Sequence, residues 1–309
     1  MHKLSVQTAD WLNVLFDEMN PEEGFRFIKD CGFEGVDFNL DHTLPSDLLK
    51  AGKRNDYFDA PVEEILERYR PVKEAAEKVG ISIVQAHAPF PLYHEDNPEL
   101  LDYMIMATSK LLKVCQYIGC PNLVVHPHKE LDKEHEWLVN EKLYRALMPV
   151  AKETGVKICL ENLWIKQGDR IVGAVCSDPY EACFYIDTFN EEAGEELFGL
   201  CYDVGHANMT ARNIFQDLKV LGSRIACLHI HDNDVTVDRH LFPYSCKASD
   251  RKNTMLDWEA FYAGLKEIGY KGDLNFETFG QLLVTPTELW KANLRYLNTI
   301  GQYIRKRIQ

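Results

Sequence analysis

Phe198-Gly-Leu-Cys-Tyr-Asp-Val-Gly-His206 is a short apolar run that stops abruptly at Asp203 and His206. Five other runs share that design: Ile81–Ala86 stops at His87, Asn122–Val125 at His126, Lys157–Leu160 at Glu161, Ile225–Leu228 at His229 and Asp273–Phe276 at Glu277. Each reads as a buried strand whose last residue is a metal-ligand type. Near-continuous apolar runs without polar alternation suit parallel strands covered on both faces, and the spacing between successive ends leaves room for one helix each. A closed barrel of parallel strands gathers its C-terminal strand ends at one mouth, where residues distant in sequence become neighbours.

Working outward, Leu4–Gln7 is expected as the first strand, Pro21 to Cys31 as the first helix, and Gly35–Leu40 as the second strand, placing Asp37 or Asn39 at the mouth. The polar segment Asp41 to Ala60 reads as a loop reaching over the site. Helices are predicted over Pro61–Val79, where internal Pro71 kinks or splits the helix, and over Pro98–Ile118, Glu141–Thr154, Asp178–Phe189, Asn213–Leu221, Trp258–Ile268 and Pro286–Ile308. The expected fold class is α/β: a (β/α)8 TIM barrel of eight strands and eight helices, one domain over residues 1–309.

Composition narrows the function. The content is 46% hydrophobic and 27% charged, and no apolar run approaches the roughly 18 residues of a membrane span, so a soluble protein is expected. The opening residues lack the apolar core of a secretory signal, which points to the cytoplasm. Nine cysteines, with no C-x-x-C pair, read as small buried apolar residues in a reducing compartment. A net charge of −14 argues against nucleic acid as partner, because duplex binders carry a basic face.

Glu161, Asp203, His229 and Glu277 are the four residues expected on one divalent metal. Three carboxylates and an imidazole make a hard, oxygen-rich site suited first to Mn²⁺, with Mg²⁺, Co²⁺ or Zn²⁺ as alternatives. Converging carboxylates would repel one another without a cation or a proton. His206 follows Asp203 by one turn, His87 and His126 each stand just ahead of a proline-directed exit, and Asp238-x-His240 puts two ligand types on one side of an extended segment. Phe38, Phe90 and Trp164 are candidate apolar walls for a substrate.

The set His87, His126, Glu161-Asn162, Asp203-x-x-His206, His229-x-x-Asp232, Asp238-x-His240 and Glu277, spread from Ser82 to Glu277, resembles the xylose-isomerase-like TIM-barrel superfamily. That group holds ketose 3-epimerases, inosose dehydratases, sugar phosphate isomerases/epimerases and endonuclease IV. For a sugar epimerase the resemblance implies that Glu161, Asp203, His229 and Glu277 hold the metal, that Glu161 and Glu277 double as acid and base, and that His206 contacts substrate. His87, His126, Trp164 and His240 are then the further substrate contacts. It implies a sugar or sugar phosphate isomerase/epimerase working by proton transfer through a metal-stabilised enediolate on a small sugar or cyclitol, in a possible homo-oligomer. The alternatives are an inosose-dehydratase-like lyase and an endonuclease IV-like phosphodiesterase on abasic DNA. In the latter case His87, His126, His206, Asp238 and His240 join the first four as ligands of three zinc ions. The segment from Leu241 to Asp257 departs from the pattern of sugar-active members, lacking a Pro-Gly-x-Gly, and its Lys247, Arg251 and Lys252 meet a phosphate or are solvated.

Overall fold

A computed structural model describes residues 2–8, 20–249 and 253–309. Arg251 and Lys252 lie outside the described residues. Eight parallel strands form the central sheet: β1 (Leu4–Gln7), β2 (Gly35–Asn39), β3 (Ser82–His87), β4 (Asn122–Val124), β5 (Lys157–Glu161), then, past an antiparallel hairpin of β6 (Trp164–Gln167) and β7 (Arg170–Gly173), β8 (Phe198–Asp203), β9 (Ile225–His229) and β10 (Leu274–Phe276). The sheet runs β10-β1-β2-β3-β4-β5-β8-β9, and a parallel bridge between Ile230 and Phe276 brings its two edges together. The Ile230 amide donates to the Asn275 carbonyl at 3.0 Å and the Glu277 amide to the Ile230 carbonyl at 3.2 Å, so backbone pairing joins both edges. The result is a (β/α)8 barrel.

The helices begin and end for local reasons. Asn20, Asp132, Asp178, Asn213 and Asp257 cap helix starts by accepting backbone N–H groups. Gly80 and Gly119 end the helices Val62–Val79 and Leu100–Ile118 in left-handed conformation, φ 70° and 75°, which a side chain would strain.

Several expectations need correction. Pro71 does not split its helix, which runs unbroken from Val62 to Val79. Pro71 is exposed, so the carbonyl it leaves without an amide partner can meet water. The helix expected from Glu141 starts two turns earlier, at Lys133, where Asp132 supplies the cap. Asp41–Ala60 is no open loop: it folds into 3-10 turns at Asp41–Thr43 and Tyr57–Asp59 around the helix Ser46–Lys50. The hairpin and the short helices Val204–Met209 and Phe279–Leu283 are additions to the eight-and-eight count. Phe38 does not wall the mouth; it is buried against Phe25 and Tyr69 between sheet and helices. The cysteines are free thiols, all buried apart from half-buried Cys183.

Candidate metal centre

The mouth is built from the residues that end the strands. His87 closes β3, Glu161 β5, Asp203 β8 and His229 β9, while His126 lies two residues past β4 and Glu277 one past β10. Register aligns them in depth: Asp203 stands opposite His229 across the β8–β9 pair.

Glu161 is the hub. Its Oε2 lies 3.0 Å from His126 Nε2, 3.3 Å from His229 Nδ1 and 3.8 Å from His87 Nε2, and its Oε1 lies 3.2 Å from His206 Nδ1. His229 Nδ1 is also 3.1 Å from Glu277 Oε2 and 3.9 Å from Asp203 Oδ2. Glu161, Asp203 and Glu277 thus all lie within 3.9 Å of His229 Nδ1. His206 Nε2 meets Asp238 Oδ2 at 2.9 Å, and the same oxygen lies 3.2 Å from His240 Nε2. His87 and His126 face each other with their Nε2 atoms 3.1 Å apart.

Two participants, His231 and Gln7, were not among the expected residues, and Asp37, expected at the mouth as an alternative to Asn39, lies beneath it. His231 Nε2 lies 3.0 Å from Asp203 Oδ2 and 3.7 Å from Asp238 Oδ1. Strand alternation carries the signal, since residues 229 and 231 point to the same face. Gly205 makes room for it: a methyl group there would overlap the His231 ring. Asp37, fully buried under the mouth, accepts from Gln85 at 3.0 Å and Asn275 at 2.9 Å and stands 3.3 Å from His229 Nε2. Gln7, the last residue of β1, donates to Glu277 Oε1 at 2.9 Å. Asp232, included in the family-like set, turns away and accepts the Asn233 and Cys246 amides instead.

The electrostatics follow from this packing. Burial alone would raise the Glu161 carboxyl, but the imidazoles of His126 and His229 hold it well below the usual carboxylate range. Against the same burial, His206 and His231 lower Asp203, and His240 and His206 hold Asp238 well below its usual range. Conversely, burial opposes protonation of His229, yet Glu277 and Glu161 push it well above the ordinary histidine value. Asp203 and Asp238 do the same for His206. Protons on imidazoles thus neutralise carboxylates that a cation would neutralise otherwise.

Does the donor set fit a metal? A cation with bonds of about 2.0–2.3 Å holds adjacent ligands roughly 3.0–3.7 Å apart, the range of most separations above. His229 Nδ1 and Nε2, His231 Nδ1 and Asp238 Oδ1 are buried without an aligned hydrogen-bond partner. Ligand atoms of His87, His126 and Glu161, of Asp203, His206 and His231, and of His231, Asp238 and His240 lie within 4.8 Å of one another in each trio. Oxygen and imidazole donors with spare lone pairs fit a divalent ion.

Over this centre opens a cavity of about 480 Å³. Phe90, Leu92, Tyr93, Trp164 and Phe279 supply apolar walls; Lys50, Lys129, Asn39 and Asp41 are polar points on its lining, while His87, His126, Glu161, His206, Asp238, His240 and Glu277 face it from the candidate centre. Asp203, His229 and His231 are fully buried beneath. The Phe90 ring lies 4.3 Å from that of His126, and Lys129 donates to the Trp164 carbonyl at 2.6 Å.

Fold and centre together define an α/β barrel whose mouth gathers clustered metal-ligand side chains. The chain belongs to the xylose isomerase-like TIM barrel family, which it matches over residues 25–300. It is 27% identical over 276 residues to the uncharacterised protein y4fM of Sinorhizobium fredii, covering 83% of this chain and 82% of that one. Among solved structures, 3-keto-D-glucoside 4-epimerase YcjR of E. coli superimposes with a TM-score of 0.66 at 19% identity, covering 97% of this chain and 100% of that one. D-psicose 3-epimerase of Clostridium cellulolyticum H10 gives 0.65 at 16% identity, with 98% and 99% covered. The likeness in structure is one of fold. Among the described residues no helix is long and apolar enough to cross a membrane.

Proposed function

We propose that the protein is a divalent-metal-dependent sugar epimerase or isomerase that moves a proton at the carbon beside a carbonyl. One observation carries this reading: Glu161 and Glu277 converge on the same imidazole at 3.3 and 3.1 Å, at the floor of a cavity walled by aromatic rings. Two carboxylates on one floor can take a proton from a sugar carbon and return it. Glu161, Asp203 and Glu277 would hold the metal, Mn²⁺ first, with His229 and His231 both in reach of it. A bound divalent cation supplies Lewis-acid polarisation of the substrate carbonyl and charge stabilisation of an enediolate.

The chain's own groups do the rest. Gln7 orients Glu277 by donating to Oε1, and Asp37 backs His229, fixing the ring as carboxylates behind metal-binding histidines do. His206 and His240 face the cavity as proton-bearing groups toward sugar hydroxyls. Phe90 and Trp164 exclude water and pack on the apolar face of a small sugar or cyclitol. The neighbouring solved structures, among them a 3-keto-D-glucoside 4-epimerase and D-psicose 3-epimerases, support a keto-sugar substrate.

The test is proton exchange with deuterated solvent, using Mn²⁺-loaded protein and a panel of ketoses, 3-keto sugars and inososes. Wild type should exchange the proton beside the carbonyl, and Glu161→Gln and Glu277→Gln should each lose at least ~10²-fold. Retained exchange in both variants removes the two-glutamate scheme. The gathering of His87, His126, Asp238 and His240 with the first four keeps a three-metal phosphodiesterase as second reading. That reading requires three ions per chain at the mouth and nicking of an abasic duplex.

A further inference from the structure

A second trio of metal-ligand side chains lies at the rim, where none of the residues above is used. His128, Glu130 and His135 offer ligand atoms within 4.8 Å of one another. The Glu130 carboxylate sits between the two rings, Oε2 3.2 Å from His128 Nε2 and Oε1 in a direct 2.5 Å hydrogen bond with His135 Nδ1, a contact that an ion would replace by bridging the two. We propose that these residues form a separate binding site for a borderline divalent cation of the Zn²⁺ class, bordering the substrate cavity. The site is distinct from the central metal and does not depend on the sugar reading.

Three features argue for a built site. First, the backbone of each ligand is fixed by a side chain spent on it. Asn140 accepts the His128 amide at 2.7 Å and donates to the His128 carbonyl at 2.8 Å; fully buried Glu136 accepts the Glu130 amide at 2.9 Å; Asp132 accepts the His135 amide at 3.3 Å. Second, His128 Nε2 is buried without an aligned hydrogen-bond partner, although it points toward the carboxylate. Third, Tyr93 packs edge-on against both rings, 4.9 and 5.5 Å between centroids, and so holds the imidazoles in place from the cavity side.

Two imidazoles and one carboxylate are a ligand set that zinc takes, with bonds of about 2.0–2.2 Å and a fourth position left to water or substrate. His135 is the half-exposed member, with its side chain 43% accessible, so the site is open to solvent on that side and can load without unfolding. His128 and Tyr93 also line the cavity, and Lys129, between two of the ligands, reaches Trp164. An ion here would clamp the wall that carries Lys129, and its open position would face an oxygen of a substrate too long for the central floor.

The experiment counts ions. The full-length protein is chelated, loaded with Co²⁺ and then Zn²⁺ alone, and assayed by elemental analysis and visible absorption, with wild type, His135→Gln, Glu130→Gln and Glu277→Gln compared. His135→Gln and Glu130→Gln should each lose one equivalent and the associated Co²⁺ band while keeping the central ion, and their melting temperatures in chelator should match wild type. Equal stoichiometry and affinity in wild type and both rim variants overturns the proposal. Loss confined to Glu277→Gln does so too. If instead Glu277→Gln changes nothing while the rim variants lose an ion, the central assignment fails and this one stands.

Discussion

At the scale of the residue, the site's chemistry was written mostly in side-chain type. His87, His126, Glu161, Asp203, His229 and Glu277 were legible because a titratable residue ending an apolar run is unusual and recurs six times. His231 and Gln7 were not, and Asp37 was legible as a residue of the mouth but not as a partner of His229. His231 reads as part of a polar loop until β9 is known to keep alternating past His229, and Asp37 is a strand-interior carboxylate whose three neighbours come from other strands. Gly205 is the test of that hidden fit. Gly205→Ala pushes a methyl into the fully buried ring of His231, so central metal affinity should drop by at least ~10-fold with the fold retained, because the displaced ring no longer meets Asp203; isothermal titration with Mn²⁺ measures it, and unchanged affinity would remove His231 from the centre. A pH effect follows from His240. Burial opposes its protonation, but Asp238 and Glu277 push it up to about 9. The folded ring then keeps its proton above the unfolded value of about 6.5, so its contribution to stability is complete below that pH and is lost as pH rises through about 9. Urea unfolding of chelated protein should show stability falling between those limits, with a shallower fall in His240→Asn.

Elements were legible where periodicity and caps agreed, and obscure where short structure is dictated by tertiary contact. The long helices needed only an apolar stripe and a terminal Gly or Asp. The β6–β7 hairpin gave no such signal: Trp164–Gln167 and Arg170–Gly173 are half-exposed and exposed, pair with each other, and offer only the short Ile165–Val172 pair as an apolar face. It nonetheless holds Trp164 over the cavity, anchored by the Lys129 bond to its carbonyl and by the ammonium 4.8 Å from its ring. Replacing residues 165–172 by a short Gly-Ser turn should therefore leave the melting temperature within a few degrees of wild type while raising KM for the sugar; an unchanged KM would take Trp164 out of the substrate wall. Pro71 shows propensity overridden by packing. Ile65, Tyr69, Ala75, Ala76 and Val79 bury the inner face of the helix on both sides of it, and the proline itself is outside. A helix-interior proline costs up to about 3 kcal/mol relative to alanine, part of it recovered through the stiffer unfolded chain. Pro71→Ala should accordingly stabilise by about 1 kcal/mol, read as a higher denaturation midpoint at unchanged slope.

For the whole molecule, the barrel solves one problem and creates another. Closing the sheet through Ile230 and Phe276 joins its two edges and surrounds the core, but it also crowds Asp37, Glu161, Asp203, Asp238 and Glu277 into one mouth. A chain of net charge −14 that gathers five carboxylates there stores repulsion which imidazolium protons relieve in part. A cation that binds the folded barrel and not the unfolded chain removes more of it, and stabilises by about 2.7 kcal/mol at a hundred times its Kd. With unfolding entropy of about 2.1 cal/mol/K per residue, a chain of 309 residues should gain roughly 4 °C in Tm. Scanning calorimetry of chelated protein against Mn²⁺-loaded protein measures that rise, and Glu161→Gln and Glu277→Gln should each remove most of it. The chelated barrel should still melt as a folded protein, because its apolar core runs from Leu4 to Ile308 around all eight strands and owes nothing to the ion. A Tm that is indifferent to every divalent ion tried, in wild type and variants alike, would mean that protons alone balance the mouth, and the metal-dependent reading of the centre would fall with it.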